Sequence, residues 1–358
     1  MKLGIGLYRS MLTKEYYRFA KQAGCTHIIA HLVDYFPSMS KNGIPATDAN
    51  RNWGVTTGDM EVWSYESLKK LKDEIHEEGL ELFAIENFDP AHWHDILLNG
   101  PRRDQQIELL KSFIRNVGKA GIPVIGYNFS LAGVWGHTKG EYARGGAVSV
   151  GFTPDKASEP TPMSLGEVWN MTYDPNAPVG TLPQVSSEEL WERVAYFLHE
   201  LIPVAETSGV RLAAHPDDPP MPTLRGMPRL VYTPQLYQKL LDLVPSQSNA
   251  LDLCMGTVQE MATGNLYDAI ESYTKQNKVC YVHFRNVIGK VPDYREVFID
   301  EGDIDMIKAL RIYKNNGFEG VFIPDHTPQM TCDAPWHAGM AFALGYMKVA
   351  LAIVNSES

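Results

Sequence analysis

SSEELWERVAYFLHELIPVAETSGVRLAAH (186–215) contains one complete helix–strand unit. Ser186 and Glu189 form a Ser-x-x-Glu capping box, which satisfies two of the orphan amides at a helix start. Apolar residues recur at helical spacing as far as Gly209, a residue suited to the left-handed position just past a helix end. VRLAAH (210–215) follows as an apolar run of strand length. The same alternation continues outward. Toward the C-terminus, NALDLC (249–254), VCYVHF (279–284) and FEGVFIPDH (318–326) read as strands. Helical patterns over 234–243, around 265–275 and over 302–317 separate them, and an apolar helix over 337–353 closes the chain. Toward the N-terminus, LGIGLY (3–8), THIIAHL (26–32), LELFAIE (80–86) and PVIGYNF (123–129) read as strands, with helices over 13–23, 64–78 and 101–120 between them.

Eight strand–helix units imply a parallel sheet, and eight is the number that closes a barrel. The expected fold is therefore α/β, a single (β/α)₈ TIM-barrel domain over 1–358. A doubly wound open sheet is the structural rival, but no glycine-rich phosphate loop follows the first strand. Two segments exceed the alternation: 33–63 after strand two, and 130–185 after strand four, the second rich in Gly, Pro, Ser and Thr. Each lies between a strand and its following helix, so both are expected as insertions on the C-terminal face, where barrels build active sites. A lid over the substrate and a plain surface or oligomer-contact loop are both open readings.

With 44% hydrophobic and 21% charged residues, the composition is that of a globular chain with a large core. A net charge of −11 argues against a nucleic-acid surface, which needs clustered Lys and Arg. No apolar run approaches the roughly 18–20 residues of a membrane span. MKLGIGLYRS reads as a strand rather than a secretion leader. Four cysteines without a CxxC pair suit a reducing cytoplasm.

The strand ends of the second half carry the chemistry. Strand five ends in His215, strand six in Cys254, strand seven near His283 and strand eight in Asp325–His326. Consecutive barrel strands stand side by side, so imidazole, thiolate, imidazole and carboxylate converge on one rim. Singly, a strand-end His is commonly a structural residue and an apolar-strand Cys is core. Four together suit a borderline divalent ion: Mn²⁺, Fe²⁺, Co²⁺, Ni²⁺ or Zn²⁺. No organic cofactor is called for. His326 is a candidate general acid or base, or a residue orienting a ligand; Pro324 and Pro328 suggest that the strand has ended by then, which would let neighbours 325 and 326 both face the site. Arg285 and Asn286 are candidates for a substrate carboxylate. Arg9, Glu86 and Asn128 mark the ends of strands one, three and four, and are weaker candidates for substrate contact. His92, His137 and Arg144 lie in loops, as lid contacts or surface residues. Asp217 and Asp218 sit in a proline-rich turn, as acceptors behind the ligands or as turn residues.

Several stretches together resemble the mannonate dehydratases of hexuronate catabolism: FIRNVGKAGIPVIGYNF (113–129), RLAAHPDDPP (211–220), GMPRLV (226–231), LDLCMG (251–256), VHFRNV (282–287), GDIDM (302–306) and IPDH (323–326). The resemblance implies a xylose-isomerase-like barrel that uses Mn²⁺ to remove water from D-mannonate, giving 2-keto-3-deoxy-D-gluconate. It implies metal ligands at His215, Cys254, His283 and Asp325 and a catalytic histidine at His326. It also implies a catalytic tyrosine after the Asp–His pair, but this chain reads HTPQMTCDAPWHAGMAFALGYMK (326–348), with Met340 and Phe342 near that place. The expected partner is a small sugar acid, with no nucleic acid and no membrane, in a homo-oligomer, dimer or tetramer. Isomerisation or epimerisation on the same scaffold is the alternative, and a sugar-acid-binding barrel without catalysis is a third.

Overall fold

The computed structural model describes residues 1–35, 53–158 and 161–357. Eight parallel strands close into a barrel in chain order: β1 Lys2–Leu7, β2 His27–His31, β3 Glu81–Glu86, β4 Val124–Tyr127, β5 Arg211–Ala214, β6 Asn249–Cys254, β7 Val279–His283 and β8 Val321–Ile323. Closure is made by β8 on β1, with Lys2 opposite Val321 and Leu3 opposite Phe322. The outer helices are α1 Lys14–Gln22, α2 Tyr65–Glu77, α3 Arg103–Lys119, α4 Ser187–Ser208, α5 Pro234–Leu243, α6 Leu266–Lys275, α7 Met306–Asn315 and α8 Pro335–Ser356.

Local chemistry sets the boundaries. Ser186 accepts from the Glu189 amide while the Glu189 carboxylate accepts from the Ser186 amide, and Gly209 ends α4 in the left-handed conformation. The Ser64, Asn265 and Asp305 side chains cap α2, α6 and α7 by accepting from first-turn amides. The last helix of the 302–317 reading thus starts at Met306, because Asp305 is its cap.

The period of two along each strand divides its side chains. Leu212, Leu251, Leu253 and Val282 face outward into the main core under the helices, while Ile29, Ala84, Val124, Ala213, Ala250 and Val321 belong to a separate small cluster. That inner set is small and apolar, so the barrel is filled rather than hollow. On the same alternation, Tyr8, His31, Glu86, Asn128, His215, Cys254, His283 and Asp325 come next, one from each strand end.

Three features depart from the sequence reading. Strand eight, read as 318–326, is only Val321–Ile323. Pro324 cannot donate to the ladder, and both Asp325 and His326 reach the cavity beyond it. The segment after β7 carries an unforeseen hairpin, Val287–Lys290 with Asp293–Glu296. It pairs with Thr138–Ala143 and Ala147–Phe152 of the 130–185 segment in a four-stranded antiparallel sheet. Finally, α8 is long and apolar enough to cross a membrane, contrary to the expectation of no such run. Its Met340, Ala343, Leu344, Met347, Ala350, Leu351 and Val354 are buried in the core as the eighth outer helix.

Candidate active site

A cavity of about 250 Å³ opens above the barrel, a size suited to a small ligand rather than a polymer. Its floor includes Tyr8, His31, Glu86, Asn128, His215, His283 and Asp325, with His326 and Thr327 just past β8. Its walls include Val134, His137, Thr138, Lys139, Ser149 and Trp169 from the 130–185 segment, and Trp336 and Met340 from α8. Of the 33–63 segment, Tyr35 and Trp53 reach it; residues 36–52 lie outside the described residues.

Ligand atoms of His215, Cys254 and His283 lie within 4.8 Å of one another. Asp325 adjoins them, with Oδ2 4.0 Å from Cys254 Sγ and Oδ1 3.6 Å from His283 Nδ1. His215 Nδ1 is 2.7 Å from the Pro216 carbonyl, to which it can only donate, so Nε2 is left with its lone pair. Both ring nitrogens of buried His283 lack a hydrogen-bond partner. Burial opposes a thiolate at Cys254, but the Arg285 charge and the adjoining imidazoles of His215 and His283 prevail and bring its pKa down to about 6. Orphaned imidazole nitrogens beside a thiolate and a carboxylate fit a borderline divalent cation. Behind His283, Nε2 faces Asp252 Oδ2 at 3.3 Å and Glu86 Oε2 at 3.4 Å. Glu86, Asp252 and His283 also form a ligand-like group of their own. Carboxylates in that position orient a ligand imidazole. Burial pushes Asp252 up to about 8, while His31 and His283 overcome burial to hold Glu86 at about 2.

His326 stands at the cavity edge. Its Nδ1 is 2.7 Å from Glu296 Oε2, and its Nε2 is 3.3 Å from Asp325 Oδ1. Burial works against its charge, but Asp325 and Glu296 outweigh it and raise its pKa to about 9.

A D-mannonate dehydratase family model matches residues 53–354. The chain belongs to the D-mannonate dehydratase family. It is 30% identical to mannonate dehydratase of Streptococcus pneumoniae over 276 residues, covering 74% of this chain and 75% of that one. Mannonate dehydratase 2 of Halalkalibacterium halodurans is 31% identical, with 74% and 79% covered. The crystal structure of mannonate dehydratase from Streptococcus suis superposes with a TM-score of 0.77 at 26% identity, over 99% of this chain and 93% of that one. A xylose isomerase domain protein of Planctomyces limnophilus, at 12% identity and a TM-score of 0.58, shares the fold.

Within this dehydratase the sequence-predicted substrate contacts divide. Glu86, Asn128 and His137 line the cavity. Asn128 also accepts from Trp169 Nε1 at 3.1 Å and donates to the Pro216 carbonyl at 3.1 Å, tying the long segment to β5. Arg285, Asn286, Arg9 and Arg144 are not among the described residues lining it. Arg285 is buried among Asp218, Glu260, Glu296 and Asp325, where its charge is needed. Asn286 spends its amide on the backbone of Val287, Ile299 and Ile304. Arg9 pairs with Asp59 at 2.6 Å, and Arg144 with Asp300 and Glu301. Of the weaker candidates, His92 packs edge-on to Trp63, and Asp217 binds Arg229 and two backbone amides.

Sequence reasoning missed Tyr8, His31, Asp252 and Glu296. The first three follow from extending the period of two along β1, β2 and β6. Glu296 lies in the unforeseen hairpin, and only its alternation with Tyr294 marked it.

Proposed function

We propose that the chain dehydrates D-mannonate to 2-keto-3-deoxy-D-gluconate on a divalent ion held by His215, Cys254, His283 and Asp325. The close approach of His215, Cys254 and His283 beside the His326–Glu296 pair, in a dehydratase-family chain, carries this reading. Mn²⁺ is the first candidate, with Fe²⁺, Co²⁺, Ni²⁺ and Zn²⁺ suited to the same donors. When bound, the ion stabilises negative charge on the sugar acid as C2 loses its proton. The C2–H bond breaks, its electron pair forms C2=C3, and the C3–O bond breaks with its oxygen leaving as water. The enol then tautomerises to the α-keto acid.

His326 is the group that protonates the departing 3-oxygen. Glu296 accepts its Nδ1–H and fixes the ring, leaving Nε2 at the cavity edge. Glu86 and Asn128 contact the substrate from the floor. We place the enzyme in the cytoplasm, with neither nucleic acid nor membrane as partner. Val349 and Ile353, exposed on the outer side of α8, support a homo-oligomer.

The test is incubation of the Mn²⁺-loaded protein with D-mannonate and a panel of hexonates, scoring α-keto acid formation. D-mannonate is expected to give the 2-keto-3-deoxy acid. An aldonate epimer without α-keto acid would favour epimerisation, and no turnover of any aldonate would sink the reading.

A further inference from the structure

Dehydration requires a second proton-transfer group, one that removes the C2 proton. We propose that His137 is that base, acting through Nδ1 and set in its tautomer by Tyr294 and Asp218; this rests on the dehydratase reading above.

A chain of hydrogen bonds with one polarity carries the inference. His137 lines the cavity, and its side chain is 12% exposed. Its Nε2 lies 2.7 Å from the Tyr294 hydroxyl and 3.3 Å from Asp218 Oδ1. Tyr294 Oη lies 3.0 Å from the same Asp218 Oδ1. Asp218 is buried, with Arg285 Nη2 at 2.8 Å and the Thr257 hydroxyl at 2.9 Å from its other oxygen. A carboxylate beside a guanidinium only accepts, so Tyr294 donates to it. The phenol oxygen then accepts from His137 Nε2–H. The lone pair of the neutral ring is consequently on Nδ1, the nitrogen left for the cavity. Phe152, stacked on Tyr294 at 5.9 Å and edge-on to His137 at 6.4 Å, holds both rings.

The arrangement mirrors His326. Arg285 Nη1 is 2.7 Å from Glu296 Oε1, whose other oxygen holds His326; Arg285 Nη2 holds Asp218, whose other oxygen holds Tyr294 and faces His137. Two histidines on one cavity are thus braced through two carboxylates by one buried guanidinium. The strand Asp293–Glu296 explains why both braces exist together. Its buried positions alternate, so Tyr294 and Glu296 face the same interior. In the reaction, the C2 proton passes to His137 Nδ1 and the C2–H electron pair becomes C2=C3. The 3-oxygen leaves as water with a proton from His326. His137 returns its proton to solvent or to C3 of the enol.

Two measurements test this. The first is ¹⁵N NMR of the folded wild-type protein, which needs no substrate: His137 is expected as the Nε2–H tautomer, and an Nδ1–H tautomer overturns the proposal. The second is kinetics with D-mannonate and its C2-deuterated form. His137→Gln is expected to lower kcat by about 10²–10⁴-fold with KM nearly unchanged. The isotope effect on kcat should rise, and free imidazole should restore part of the rate to His137→Ala. Tyr294→Phe keeps the ring stack and removes the acceptor; it is expected to lower kcat less and to move the acid limb of the pH profile. A folded His137→Gln with kcat within about threefold of wild type, or with loss confined to KM, overturns the proposal. Wild-type protein inert on every aldonate fails the dehydratase reading itself, a different result from an active enzyme indifferent to His137.

Discussion

Arg285 shows how misleading a residue can be when only its neighbours in sequence are known. Its place two residues past a metal-ligand candidate suggested a clamp on the substrate carboxylate. Its side chain is 1% exposed, and its terminal nitrogens lie 2.7–3.3 Å from carboxylates of Glu296, Asp218, Glu260 and Asp325. Burial and the nearby Asp218 charge push the Glu260 carboxyl well above the usual carboxylate range, against the pull of Arg285. Removing the guanidinium strands the remaining charges in a low-dielectric interior, which typically costs about 3–5 kcal/mol. Arg285→Met is expected to lose stability of that order in urea denaturation. Arg285→Lys recovers only part, since an ammonium lacks the planar fork that grips two carboxylates at once. An Arg285→Met protein within about 1 kcal/mol of wild type would remove Arg285 from the centre of this network.

At the scale of elements, the main barrel pattern was legible because its signals are local. Capping boxes, glycine stops and apolar runs of strand length are all written within a few residues of where they act. The convergence of His215, Cys254, His283 and Asp325 was legible because topology converts a strand end into a position on the rim. What stayed hidden depends on pairing across long separations: Asp293–Glu296 seats beside Ala147–Phe152, and no local pattern announces that Tyr294 and Glu296 complete the two histidine braces. Gly256 is a second case. It lies in the short helix Met255–Glu260, and a Cβ there would sit 2.3 Å from Arg285 Nε. Because four carboxyls fix that side chain, it cannot swing aside cheaply. Gly256→Ala is expected to destabilise by about 1–3 kcal/mol, as overpacking does, and calorimetry of the purified variant measures it. At the other end of the barrel, burial and Lys2 depress the His27 pKa to about 4. The unfolded chain, with a histidine near 6.5, binds the extra proton first. This contribution is therefore present above about pH 6.5 and is lost as pH falls toward 4. His27→Gln should flatten that part of the stability profile; an unchanged slope between those limits would show that His27 does not contribute to it.

For the whole molecule, the rim concentrates charge that the barrel alone does not balance. Glu86, Asp252 and Asp325 face His215, His283 and the Cys254 thiol in a space closed below by the apolar interior and bordered above by Val134, His137 and Trp169 of the 130–185 segment. A cation binding the folded rim, and not the unfolded chain, stabilises the fold by mass action: about 2.7 kcal/mol at a free concentration one hundred times Kd. The four-stranded sheet and α8 also border this cavity, so the gain should not be confined to β5–β8. Chelation is expected to lower Tm by several degrees, and Mn²⁺ should restore it in a concentration-dependent way. Hydrogen exchange should quicken at β6, β7 and the hairpins over 138–152 and 287–296, while α1 and α2, on the far side of the barrel from β6 and β7, keep their protection. Cys254→Ala should remove most of the metal-dependent part of Tm without moving the chelated value downward by more than a small core deletion costs, about 1–2 kcal/mol. A protein whose Tm and exchange are the same with chelator and with saturating Mn²⁺ would exclude Mn²⁺ binding as a source of stability at this rim.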